Sequence, residues 1–178
     1  MARGIVKGGL NDGGSNIKSI QRGTLQLSGT ATSTVGTISA VDPSKSIIRI
    51  TYIIPTSNVY GSHANIRAQL TSPTSFTLTR LFTETSPVYY VSWEIIEFNN
   101  VKSIQRGSVY LSASYANVAI SAVDTAKSLA FVSWSGGPAS SSTDIRPHYA
   151  KITFDSPTVL QIYMLLGYTM EWQVIEFN

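Results

Sequence analysis

"IKSIQRGT" (17–24) and "VKSIQRGS" (101–108) are one phrase written twice in a single chain. The second copy follows directly on "IIEFNN" (95–100), and the chain closes on a near-repeat of that stretch, "VIEFN" (174–178). Further landmarks keep the same order. "SAVD" stands at 39 and 121, "KS" at 45 and 127, "SPT" at 72 and 156, and a Trp followed by "IEF" at 93 and 172. Several shared landmarks in one order over 17–178 are the signature of an internal duplication. The spacing between copies changes from 84 to 82, back to 84 and then to 79. Those changes place length differences in "SGTATSTVG" (28–36), "IPTSNVYGSHAN" (54–65) and "FTETSP" (82–87). These stretches are rich in Gly, Pro, Ser and Thr and read as loops, which tolerate insertion where strands do not.

Each copy reads as strands. "GTLQLS" (23–28) alternates apolar and polar residues, "TISAVD" (37–42) runs into a turn, and "SIIRITYII" (46–54) follows. "ANIRAQLTS", "SFTLTRLF" and "YYVSWEIIEFN" complete the first copy, matched by "HYAKITFDS", "TVLQIYMLL" and "YTMEWQVIEFN" in the second. β-Branched and aromatic residues dominate them all. "DPSK" has Asp and Pro at the first two positions of a type I turn, and "DTAK" keeps the Asp, so Asp42 and Asp124 are expected to cap turns. In "SIIRITYII", Ile48, Ile50 and Tyr52 share one face, matched by Ala130, Val132 and Trp134. That face is apolar in both copies and is expected to be core. The opposite face carries Ile47, Arg49 and Thr51 against Leu129, Phe131 and Ser133. It is mixed, and expected to be exposed or at an interface.

The expected fold is therefore all-β: two tandem, related β-sandwich-like (or small barrel) units of about six short strands each. They span 17–100 and 101–178, after a Gly-rich arm over 1–16 that reads as flexible or ordered by a partner. A unit of ~80 residues buries only around 60% of its extended-chain surface and is marginal alone. The copies abut without a linker, which favours packing of one against the other.

Bulk properties narrow the function. Charged residues make up 13% of the chain, net charge is +3, and there is no cysteine. Thiolate metal sites and disulfides are excluded, and no basic cluster grips phosphates, so a nucleic-acid partner is not expected. The N-terminal stretch lacks the apolar core of a signal peptide, and no stretch approaches the ~20 apolar residues of a membrane helix. No membrane partner and no cofactor are expected. Chemistry is poorly signalled as well. There is no Gly-x-Ser-x-Gly elbow, no His-x-x-x-His, and no phosphate loop ending in Lys-Ser/Thr. An enzyme is not expected.

Charges kept in both copies have a structural account. If first and last strands are neighbours, Arg22 could meet Glu97 and Arg106 could meet Glu176; Trp93 and Trp172 alternate with Ile95 and Val174 and read as core. The candidate contacts lie where the copies differ. The two longest loops, 55–65 and 135–148, hold Tyr60, His63, Asp144, Arg146 and His148. Tyr149, and Phe131 on the mixed strand face, join them. Two solvated loops would also account for these residues. Tyr60, Tyr89, Tyr110, Tyr115 and Tyr149 offer rings that could stack on sugar faces.

The series KSIQRG, ISAVD-x-x-KS, SPT and Trp-x-(Val/Ile)-IEF resembles small domains in virion structural proteins of tailed bacteriophages. It covers nearly all of 17–178, once per copy. The resemblance implies a non-enzymatic, homo-oligomeric virion component of the tail, its fibres or the capsid surface. It would be made in the host bacterial cytoplasm and would contact other virion proteins. The alternative is a host-surface carbohydrate-binding module on the same particle.

Overall fold

The computed structural model describes residues 16–28, 30–53, 65–81, 88–136, 149–164 and 167–178. The first half contains β1 (Ile17–Leu27), β2 (Ser33–Thr37), β3 (Ser46–Ile53), β4 (Arg67–Ser72), β5 (Ser75–Thr79) and β6 (Tyr89–Phe98). The second contains β7 (Val101–Leu111), β8 (Tyr115–Ala119), β9 (Ser128–Gly136), β10 (Lys151–Ser156), β11 (Val159–Tyr163) and β12 (Tyr168–Phe177). Each half pairs them into two antiparallel three-stranded sheets, ordered β1-β6-β3 with β2-β5-β4, and β7-β12-β9 with β8-β11-β10. The all-β, duplicated architecture is the one the repeats imply.

The shared landmarks turn out to be one set of linked contacts, made once in each half. Lys18 Nζ lies 2.9 Å from Glu97 Oε1, and the Ser19 hydroxyl donates to Oε2 at 3.2 Å. The Asp42 amide donates to the same Glu97 at 3.0 Å. Lys102, Ser103 and the Asp124 amide repeat this around Glu176, at 2.8, 3.3 and 2.8 Å. The Gln21 side chain bonds both backbone groups of Ser39, and Gln105 those of Ser121. The Ile38 and Val41 amides donate to the carbonyls of Thr74 and Pro73, which ties "ISAVD" to "SPT"; Ile120 and Val123 do the same with Thr158 and Pro157. Gly23 lies under Trp93, where a Cβ would come within 2.6 Å of the ring, and Gly107 lies under Trp172, where it would come within 2.7 Å. So Lys, Ser, Gln and Gly of the repeated phrase each have a task within their own half. Its Ile and Arg point outward from the sheet.

Each half has its own core. Leu27, Ile48, Phe76, Tyr89, Val91 and Ile95 anchor the first, with Trp93 packed against it. Leu111, Leu160, Ile162, Tyr168, Met170 and Trp172 anchor the second, with Ala130, Val132 and Trp134 against it. The expected core face of β3 and β9 is the observed one, although Tyr52 is partly exposed.

Four expectations are corrected. Arg22 does not meet Glu97, nor Arg106 Glu176. Antiparallel register sets Arg22 opposite Glu94 and Arg106 opposite Gln173, on the sheet face away from the core, and Lys18 and Lys102 take the glutamates. The "SGTATSTVG" stretch is not all loop, since Ser33–Thr37 form β2. Its one buried residue is Gly36, which lies under Phe76, so the strand carries no apolar alternation. "ISAVD" leaves the sheet after Thr37 and leads into a single 3-10 turn, Pro43–Lys45. Asp42 caps that turn as expected, and Asp124 caps Thr125–Lys127. Tyr89 is not an exposed ring; it is buried in the first core.

Candidate functional site

The outward face of β1-β6-β3 in the first half and of β7-β12-β9 in the second are the same surface by sequence and register. The two copies use it differently.

In the second half this face is covered by the first half. β3 and β4 are outer strands of their sheets, and an outer strand leaves backbone N–H and C=O groups without a ladder partner. The Gln173 amide supplies one: its oxygen accepts from the Ile48 N–H at 2.9 Å, and its nitrogen donates to the Ile48 carbonyl at 2.8 Å. The Ala68 amide donates to the Ser133 hydroxyl at 3.0 Å. Arg106 reaches across to the carbonyls of Pro43 and Ser46, at 2.5 and 2.6 Å. Arg67 pairs with buried Glu171 at 2.9 Å. Below these polar contacts Ile47, Phe98 and Ile175 form a third apolar cluster, with Ile104, Phe131 and Phe177 packed on it. Phe98 and Phe177 meet edge to face, their ring centroids 5.9 Å apart. A narrow groove of about 130 Å³ remains along the seam.

In the first half the part of this face around Arg22, Arg49 and Glu94 is open, while Ile47, Ile96 and Phe98 at its other end pack in the third cluster. The open part forms a groove of about 380 Å³, lined by Arg22, Thr24, Arg49, Thr51, Ser92 and Glu94 among others. Arg22 Nε lies 2.6 Å from one oxygen of Glu94, and Arg49 Nε 3.1 Å from the other. Both guanidiniums are more than half exposed, at 56% and 60%. The Arg22 hydrogen bond holds the Glu94 carboxyl below the ordinary glutamate range against partial burial, and Arg49 adds to it. The groove therefore presents two cations bridged by one anion, with hydroxyls beside them. This is a donor-rich surface for carbonyls, carboxylates or a strand edge. Among the described residues no group of three His, Asp or Glu is placed to hold a metal ion.

The predicted contact residues distribute unevenly. Tyr60, His63, Asp144, Arg146 and His148 lie outside the described residues. Tyr149 is 70% exposed. Phe131 packs on the third cluster and contacts the other half of its own chain, which makes the mixed face of β9 an interface. Tyr110 and Tyr115 are exposed as expected. Tyr115 lies against Tyr163 with centroids 5.9 Å apart, and Lys151 Nζ stands 5.2 Å from the Tyr163 ring. The residues that carry the seam, Gln173, Glu171 and Arg106, were not among the expected contacts. Their signal was available in the copy-to-copy differences. Where the first half has Glu94 and Arg49, the second has Gln173 and Phe131, groups that cost less to bury, while Ser92 is matched by Glu171, which is buried together with its partner Arg67.

Comparison with family models, curated proteins and solved structures found no match.

Acid sensitivity should draw on the two repeated glutamates, with Glu94 adding in the same sense. Burial works to raise the Glu97 carboxyl, but the Lys18 ammonium and the Asp42 amide outweigh it and hold it low. The Asp124 amide and Lys102 do the same for Glu176. A carboxyl depressed in the folded state contributes stability above its unfolded pKa and loses it as pH falls through the folded value. Stability should thus fall as pH drops below the ordinary glutamate range. The double change Glu97→Gln and Glu176→Gln should flatten that fall, as read by chemical denaturation at a series of pH values. An unchanged pH slope would refute the assignment. Burial raises the Glu171 carboxyl, so it contributes with the opposite sign.

Proposed function

We propose that this chain is a non-enzymatic structural protein of a tailed-bacteriophage virion. It makes assembly contacts in the tail or its fibres, or on the capsid surface, with other virion proteins. One observation carries the assembly part of this reading. A sheet face that packs against a neighbouring unit in one half of the chain stands open, with its arginine retained, in the other. A scaffold that repeats a binding surface and uses it once internally has a second one to offer. The repeated KSIQRG, ISAVD, SPT and IEF landmarks, with their likeness to tailed-phage virion domains, support the rest.

The deciding experiment locates the chain in purified particles with a labelled antibody viewed by electron microscopy. Labelling at the tail, its fibres or the capsid lattice is expected. Particles that lack the chain altogether would end the reading.

A second reading, binding of host-surface carbohydrate, is favoured by one observation. Tyr115, Tyr163 and Lys151 lie in one row across β8-β11-β10, beside the Gln161 and Asn117 amides, whose nitrogen and oxygen bond each other at 3.1 Å. Aromatic rings flanked by amides suit sugar faces and their hydroxyls. Glycan binding by the isolated chain, lost on Tyr163→Ala, would move the function there.

A further inference from the structure

We infer that the open groove of the first half receives the β9–β10 edge of a second copy of this chain, so that chains join head to tail through a repeat of their own internal seam. This rests on the reading of the chain as an assembly protein, and not on which particle it serves.

The seam has two sides. One is an edge, made of β3, β4 and the turn before β3. The other is a face, made of β7-β12-β9. Each half contains both, because the halves are copies. Within one chain the first half spends its edge and the second half spends its face. The Arg22–Glu94–Arg49 part of the first half's face and the second half's edge are left over. Exposure follows this division at five equivalent pairs, and not at Phe98, which the third cluster buries. Ile47 on the spent edge is 5% exposed, while Leu129, its equivalent on the free edge, is 52% exposed. Ser46 is buried where Ser128 is half-buried, and Arg67 is half-buried where Lys151 is exposed. On the faces, Gln173 and Glu171 are buried, and their equivalents Glu94 and Ser92 are half-buried and exposed.

The free pair is chemically complementary in the same register. Arg22 stands where Arg106 does, and would donate to the carbonyls of Thr125 and Ser128, the equivalents of Pro43 and Ser46. Ala130 sits opposite Val174 in β9 as Ile48 sits opposite Ile95 in β3, and so presents its N–H and C=O at the same place. Gln173 served that pair of groups with one amide. Glu94 and Arg49, already joined at 3.1 Å, hold the same acceptor and donor between them. Leu129 would take the place of Ile47 beside Ile20, in the row next to Arg22 and Glu94, where Ile96 already packs on the third cluster. One ion pair is missing: Lys151 replaces Arg67, but Ser92 replaces Glu171.

An interface between unlike surfaces leaves each added chain with the same two free surfaces. It therefore builds a ring where the rotation closes and a filament where it does not.

The test uses the purified full chain, with mass followed by analytical ultracentrifugation over a concentration series. Wild type should form multi-chain species. Arg49→Glu on the face and Leu129→Asp on the edge, both at exposed positions, should each stay single. Mixed together they should form a two-chain complex, because each keeps the surface the other has lost. Ser92→Glu restores the missing partner of Lys151 and should tighten association about two- to five-fold, the range of an exposed ion pair. A wild-type chain that stays single at every concentration would overturn the inference. So would assembly by either single variant, a mixture that stays monomeric, or a Ser92→Glu chain that associates no more tightly. A single-chain protein found in virions would remove this inference alone, and a self-assembling chain absent from virions would remove only the proposed particle.

Discussion

Gln173→Leu should lower unfolding free energy by about 2–4 kcal/mol, the cost of leaving two buried backbone groups unpartnered. The Gln173 amide is buried, and it is the partner of both the N–H and the C=O of Ile48 on the outer strand β3. Leucine keeps most of the volume and removes both bonds, so the loss is polar and not a cavity. The twin change Glu94→Leu, at the equivalent position on the open face, should cost far less, since it removes only ion pairs to exposed arginines. The two variants together separate what the position does for its own half from what it does for the seam. Denaturant unfolding followed by Trp fluorescence reads both. Equal losses for the two variants would mean that Gln173 does not hold the halves together.

Much of the scaffold was legible because it rests on local chemistry repeated twice. Five of the six strands of the first half, the Asp-capped turns and the Trp positions follow from periodicity, turn residues and side-chain size. Pairing register was harder. Nothing in "KSIQRG" alone tells whether Lys18 or Arg22 meets Glu97; a register shift between Ile17 and Ser19 settles it. β2 was hidden because its only buried residue is a glycine making room for Phe76, and its Val35 points to solvent at 61% exposure. The site was hidden for another reason. Arg22 and Arg106 are the same residue in the same phrase, and their environments differ only because one half leans on the other. A contact between copies leaves its mark on residues that differ, such as Gln173 against Glu94. Landmarks chosen for their sameness pass over it.

Trp172→Ala should be the most damaging change in the described residues, at about 3–5 kcal/mol. Trp172 is 8% exposed, and its two sides serve different structures. The ring lies on Gly107, where a Cβ would meet it within 2.7 Å, and packs in the second core. The residue also borders the seam groove beside Ile48, Leu70 and Arg106. Gly107 has no side chain to collapse into the space, so the cavity would persist and weaken the packing of β7 on β12. Trp93→Ala removes the equivalent ring, which lies on Gly23 and stands 5.0 Å from Phe76, but it borders the open groove. Both variants lose a core ring, and only Trp172→Ala also loosens the support under the seam. Thermal unfolding should show Trp172→Ala melting below Trp93→Ala. Combining Gln173→Leu with Trp172→Ala should cost less than the sum of the two, because they disturb one contact region. Additive losses would place Trp172 in the core alone and leave the seam to Gln173, Arg106 and the apolar cluster.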